Sequence, residues 1–213
     1  MEIKSHERSH IGIKFNSIVD LGGLKASILS SLKDYGYGKL EGRGKVSLQG
    51  IIQSEVIAVK EGVNIEINYA ANALNTSGID PELVLGRFKE LINILSQLAY
   101  ELDAIVEFYE ILDTIVIYSD KIPADLFEDS SNVDLSSIKK ICPTATLWGM
   151  LISTKSASKY NNLLNIVAEP SPITPSKNIL VKTQYRSNNK EDIIIFQKSL
   201  DENILSIIKS LNR

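Results

Sequence analysis

No histidine follows His10 in this chain, and Cys142 is its only cysteine. A thiol or histidine active site therefore has few residues to draw on, and a Cys/His zinc site lacks its ligands. A single cysteine makes no internal disulfide, which fits a reducing compartment. No run approaches the roughly 18 to 20 apolar residues that cross a bilayer. The stretch from Met1 to His6 has no apolar segment of signal-peptide length. The expectation is a soluble, cytoplasmic protein without membrane contact. No G-x-S-x-G elbow occurs. The phosphate-binding loop is absent too, because Gly44-Lys45 is followed by Val46 where a hydroxyl is required.

What is present is a globular composition: 44% apolar and 23% charged residues in a chain of 213, with only 6 prolines. That length buries a core as one large domain or two small ones. Net charge is −3, but its distribution is uneven. Residues 80 to 134 carry 13 acidic and 3 basic residues, whereas residues 135 to 190 carry 8 basic residues and one acid, Glu169. Such asymmetry steers a partner or joins two surfaces of one protein.

The pattern of elements predicts an α+β fold: antiparallel sheets of short strands packed against helices, including a prominent helix beginning at Pro81. Ile11, Ile13 and Phe15 alternate with polar or small residues and read as a strand, preceded by a polar tail. Asp20 suits the N-cap of a helix with Leu21, Leu24, Ile28 and Leu32 on one face. Val56–Val59 and Val63–Ala71 read as strands of an antiparallel meander, joined by a tight turn at Glu61-Gly62. Asp80-Pro81-Glu82 is a helix start with a capping carboxylate, proline at N1 and an acid at the positive helix end.

Beyond it, Val84, Phe88, Leu91, Leu95 and Leu98 keep a heptad rhythm that Leu102, Ile105, Tyr109 and Leu112 continue. Either one long helix forms a seam against a second copy, or the helix ends near Tyr100. In the latter case Leu102 to Phe108 form a strand, with Ile115 to Tyr118 as its partner. Residues 120–134 read as an acidic linker or long loop between an N-terminal α+β domain, 1–119, and a C-terminal basic one, 135–213. One continuous domain is the alternative. In the second half, strands are expected at Thr144–Ser153, Leu163–Ala168 and Ile179–Arg186. A final helix starts at the capping box from Ser199, unless Ile193, Phe196 and Leu200 already belong to it. No residue-level repeat relates the halves.

Three functional classes follow. The first is a non-enzymatic, self-assembling or protein-binding role, with a homo-oligomer or protein partner. Phe88, Leu91, Leu95 and Leu98 are then the contact surface. The second is nucleic-acid or phosphate-ligand binding through Arg43, Lys45, Lys155, Lys159, Lys182 and Arg186, the last two pointing the same way as Gln184 along one strand. The third is a carboxylate-based enzyme using Glu101, Asp103 and Glu107 on one strand face, a donor set that suits Mg²⁺. No cofactor or resident metal site is expected. His6 and His10 read as an incidental pair in the tail, Cys142 as a buried structural thiol, and Trp148 as core.

Overall fold

The computed structural model describes residues 1–39, 44–46, 52–98, 101–131, 133–154 and 162–211. The first half contains β1 (Glu2–Phe15), α1 (Leu21–Asp34), β2 (Gly38–Lys39), β3 (Gly44–Val46), β4 (Ile52–Lys60), β5 (Val63–Asn68), β6 (Ala73–Gly78) and α2 (Pro81–Gln97). After α3 (Leu102–Ile105), the second half contains β7 (Val106–Tyr118), α4 (Pro123–Ser130), α5 (Ser136–Lys139), β8 (Met150–Ser153), β9 (Leu163–Pro170), β10 (Asn178–Ser187) and α6 (Lys190–Ser210). This is the α+β arrangement that the sequence predicts.

The strands join a single ten-stranded sheet in the order β2-β4-β5-β6-β1-β7-β10-β9-β8, with β3 also paired to β4. All neighbours run antiparallel. The order reads alike from both ends. Each half supplies a long first strand, a helix, a meander returning to that strand, and a closing helix. A repeat therefore exists in architecture, although residue identities do not reveal it. The two first strands, β1 and β7, pair at the centre, with Ile11 opposite Ile111.

Local signals explain the element ends. Asp20 accepts from Gly22 N at 3.1 Å and caps α1. The helix stops at Gly36, whose φ of 80° suits a residue without Cβ. The Gly36 amide returns to the Lys33 carbonyl and the Tyr37 amide to the Leu32 carbonyl, the paired bonds of a Schellman end. Glu61 and Gly62 both have positive φ, as a two-residue type I′ hairpin requires, and Lys60 pairs with Val63 across it. Asp80 accepts from Glu82 N and Leu83 N at 2.9 and 3.0 Å, with Pro81 at the first helical turn.

The heptad stripe of α2 ends in the protein's own core. Phe88 and Leu91 are fully buried and Leu95 nearly so, while Leu98 packs partly buried on the same cluster. These four residues are thus not an exposed contact surface, which corrects that expectation. A helix covering a sheet needs the same apolar stripe as a helix meeting a second copy. Helix-then-strand is the correct alternative for the segment that follows, with a difference. Residues 102–105 form one helical turn, and residues 106–118 run as a single strand rather than a hairpin.

Further differences concern polar strands and one helix. The supposed tail is most of β1, whose polar residues are held by pairing to β7 along its whole length. Residues 120–134 include α4, whose Leu126 and Phe127 are buried. Of Thr144–Ser153 only Met150–Ser153 is strand. Helix α6 starts at the Asn189 cap, so Ile193 and Phe196 are helical.

All helices of eight or more residues cover one side of the sheet. Ile111 packs with α1 and α2, and Ile115 and Ile117 pack with α4 and α6. These positions share one parity on β7, and its pairing to β10 has no bulge, so both clusters lie on the same face. The opposite face carries no such helix among the described residues. If Phe88 is core rather than interface, Phe88→Ala should destabilise the fold by about 3–5 kcal/mol in chemical denaturation without changing the solution mass.

Candidate functional site

Strand register lays out the uncovered face in rows. One row runs Val56, Glu66, Asn75, Gly12, Glu110, Arg186, Leu163 across β4, β5, β6, β1, β7, β10 and β9. Its neighbour runs Val59, Asn64, Ser77, His10, Leu112, Gln184, Asn165, Ser153. About the central Ile11–Ile111 pair, Asn75 on β6 and Gln184 on β10 occupy equivalent places, each one strand out from the centre. Each half thus contributes a side-chain amide.

On the second half these groups connect. Ser153 Oγ lies 2.6 Å from Asn165 Oδ1, Asn165 Nδ2 donates to Gln184 Oε1 at 3.0 Å, and Gln184 Nε2 donates to Glu110 at 2.7 Å. Arg186 donates to the same carboxylate and lies with its guanidinium carbon 4.7 Å from the Phe108 ring centroid. Lys182, in the next row, donates to Glu169 at 2.7 Å. The structure thus places Lys182, Gln184 and Arg186 on one face, as their spacing predicts, and gives both cations an acidic partner. The Lys182 pair is solvent-exposed, worth about 0–1 kcal/mol, so a competing anion can displace it at little cost. Arg43, Lys155 and Lys159 lie outside the described residues, and only the backbone of Lys45 is described.

On the first half the same face holds a depression of about 320 Å³. Its lining includes the small residues Ala70, Ala71 and Ala73 as well as Asn75 and His10, which flank Gly12. A Cβ at Gly12 would meet Asn75 Oδ1 at 2.8 Å and His10 Nε2 at 3.3 Å, so glycine here lets both side chains close over the strand. Arg8, Ser54, Glu66, Asn68, Glu110 and Leu112 are also in the lining. Arg8 Nη2 lies 3.5 Å from His10 Nδ1. Burial, and then the Arg8 charge, push His10 down to about 4, so at neutral pH its ring is uncharged.

The covered face holds the other histidine. His6 Nδ1 lies 3.4 Å from Asp113 and Nε2 lies 3.2 Å from Asp201 on α6. Hydrogen bonds to Asp113 and then Asp201 raise His6 to about 10. Gln197 of α6 donates to Asp113 at 3.3 Å. This cluster sits between the two apolar cores and ties α6 to both central strands. Neither histidine is an incidental tail residue. Sequence reasoning missed both because their partners, apart from Arg8, are distant in the chain.

Other expectations are corrected. Glu101 flanks the helical turn α3 and Asp103 lies within it, so they do not share a strand face with Glu107 on β7. No group of three or more His, Cys, Asp or Glu side chains suited to a metal occurs among the described residues. Cys142 is exposed, and Trp148 is 55% exposed, because residues 144–149 run outside the sheet instead of within it. No described helix is long and apolar enough to cross a membrane.

The fold and site define a mixed α/β protein with an antiparallel sheet covered by helices on one face. No protein-family model and no curated protein matches the chain. Among solved structures, it is similar to Methanococcus jannaschii TBP at 14% identity and a TM-score of 0.37, with 99% of each chain covered.

The two histidines set opposite limbs of a pH profile. A raised folded value for His6 gives stability that is complete below about 6.5 and lost as pH rises through about 10. A depressed folded value for His10 gives stability that is lost as pH falls from about 6.5 through about 4. The melting temperature of the protein should therefore decline from pH 6.5 to pH 10, and His6→Gln should flatten that decline. An unchanged alkaline limb in the variant would show that the Asp113–His6–Asp201 contact has no such role.

Proposed function

We propose that this is a non-enzymatic binding protein whose uncovered sheet face contacts nucleic acid. The observation that carries the reading is the composition of that face in register. Side-chain amides and hydroxyls share that face with Arg8, Lys14, Lys182 and Arg186, drawn from strands of both halves, and with the carboxylates of Glu66, Glu110 and Glu169. Amides both donate and accept, as base edges and sugars require, and guanidinium and ammonium groups meet phosphates. The rows cross seven and eight strands, which is long enough to follow an extended polymer. Arg186 packed on Phe108 keeps its guanidinium in place on the face.

Three of these cations are held by acceptors in the unbound protein. Lys182 and Arg186 hold Glu169 and Glu110, and Lys14 donates to the Ala71 carbonyl. A phosphate replaces these partners rather than filling an empty cluster, so the affinity is moderate and strongly salt-dependent. We also propose that residues 1–119 and 135–213 act as one continuous domain, because β7 of the first pairs with β10 of the second without a bulge, from Tyr118 opposite Asn178 to Tyr109 opposite Ser187.

A second reading has its own observation. Ile138 in α5 and Ile141 just after it, and Trp148 and Leu151 before and within β8, are exposed, at 54%, 89%, 55% and 66%. These exposed apolar side chains support contact with a protein partner or a second copy. A monomer by light scattering at micromolar concentration removes the self-association version.

For the leading reading, retention of RNA or DNA is expected at about 50 mM salt and lost at several hundred millimolar. Lys182→Ala with Arg186→Ala should weaken it about tenfold and lower the salt slope by about two. Glu169→Gln should strengthen it by releasing Lys182. No retention at about 50 mM salt overturns the proposal.

A further inference from the structure

The depression on the first half of the open face has features that the surface reading does not require. It spans β4, β5, β6, β1 and β7. Part of its lining is small, Ala70, Ala71 and Ala73, which leaves room for a flat ring beside the Asn75 and His10 side chains that close over Gly12. Its lining carries the amides of Asn68 and Asn75, the Ser54 hydroxyl and the carboxylates of Glu66 and Glu110. Asn68 spends its Oδ1 on the Ala71 amide at 2.9 Å, leaving its NH₂ as a donor. Arg8 and Glu66 form no ion pair among the described residues, unlike Arg186 and Glu110 beside them. Arg8 Nη2 lies 3.5 Å from His10 Nδ1, and Glu66 and Glu110 line the same depression.

We propose that this depression is a nucleotide site, in which Asn75, Asn68 and Glu66 take the edge of a base and Arg8 takes its phosphate. Amides form bidentate pairs with base edges, a carboxylate accepts from exocyclic amines, and arginine matches phosphate geometry. A volume of about 320 Å³ accommodates one base with its sugar. The inference rests on the reading of the open face where the nucleotide belongs to a strand. A free mononucleotide offers the same chemistry.

The test is isothermal titration of the whole chain with the four ribonucleoside 5′-monophosphates and, separately, with single strands of about 12 nucleotides. Arg8→Gln, Asn75→Ala and Gly12→Ala are compared with the unaltered chain, after thermal unfolding has shown each to be folded. At least one monophosphate should bind, and each variant should weaken it about tenfold. Gly12→Ala acts by displacing Asn75; should it fail to fold, the other two variants carry the test.

Monophosphate binding that ignores Arg8→Gln and Asn75→Ala overturns the site. Strand binding without monophosphate binding, insensitive to the variants, overturns the site and leaves the surface reading standing. Monophosphate binding that is sensitive to the variants, without strand binding, supports the site and overturns the surface reading. No binding of either kind overturns both.

Discussion

The pairing of β1 with β7 is the contact on which the architecture depends. Two strands of 14 and 13 residues, separated in sequence by the whole first half, run antiparallel through the centre of the sheet. Each then recruits its own meander and closing helix. Because every long helix packs on one side, the parity of these two strands decides which residues are core and which face outward. Ile11, Ile13, Ile111 and Ile115 are fully buried, and His10, Gly12, Glu110 and Leu112 form the middle of the other face. A one-residue slip would exchange the two sets.

Between the two apolar clusters the covered face is polar. Asp113 is buried there with Ser9, Thr183 and Gln197 as neighbours, and His6 brings the compensating charge. Such a pair contributes little net stability compared with well-packed apolar residues, but it is costly to break from one side. Its physical consequence is register: α6 docks where Asp201 and Gln197 reach the central strands. The acidic surplus of residues 80–134 is thus partly spent inside the fold.

Features encoded locally were legible in the sequence. Asp80-Pro81, Asp20, Glu61-Gly62 and the alternation at 63–68 each carry their own geometry, and all appear where the residues predict. Features that depend on distant partners were not legible. His6 acquires its role from residues 107 and 195 positions away. Strand β6, Ala-Leu-Asn-Thr-Ser-Gly, has weak intrinsic strand preference and exists because β1 and β5 flank it. The stripe from Val84 to Leu98 is compatible with a sheet or a second copy, and only the fold shows that a sheet covers it. Of the candidate site, the common direction of Lys182 and Arg186 could be read from spacing. Their acidic partners and the depression beside Gly12 could not, since both are assembled from several strands.

The central claim is that the uncovered face is the binding surface. Its most direct test is nuclear magnetic resonance of the side-chain amide groups during titration with a short oligonucleotide. The account predicts that the NH₂ signals of Asn75, Asn165 and Gln184, one set from each half, shift together while that of Gln197, beneath α6, stays in place. Shifts confined to helix-side residues, or none at all, would contradict it.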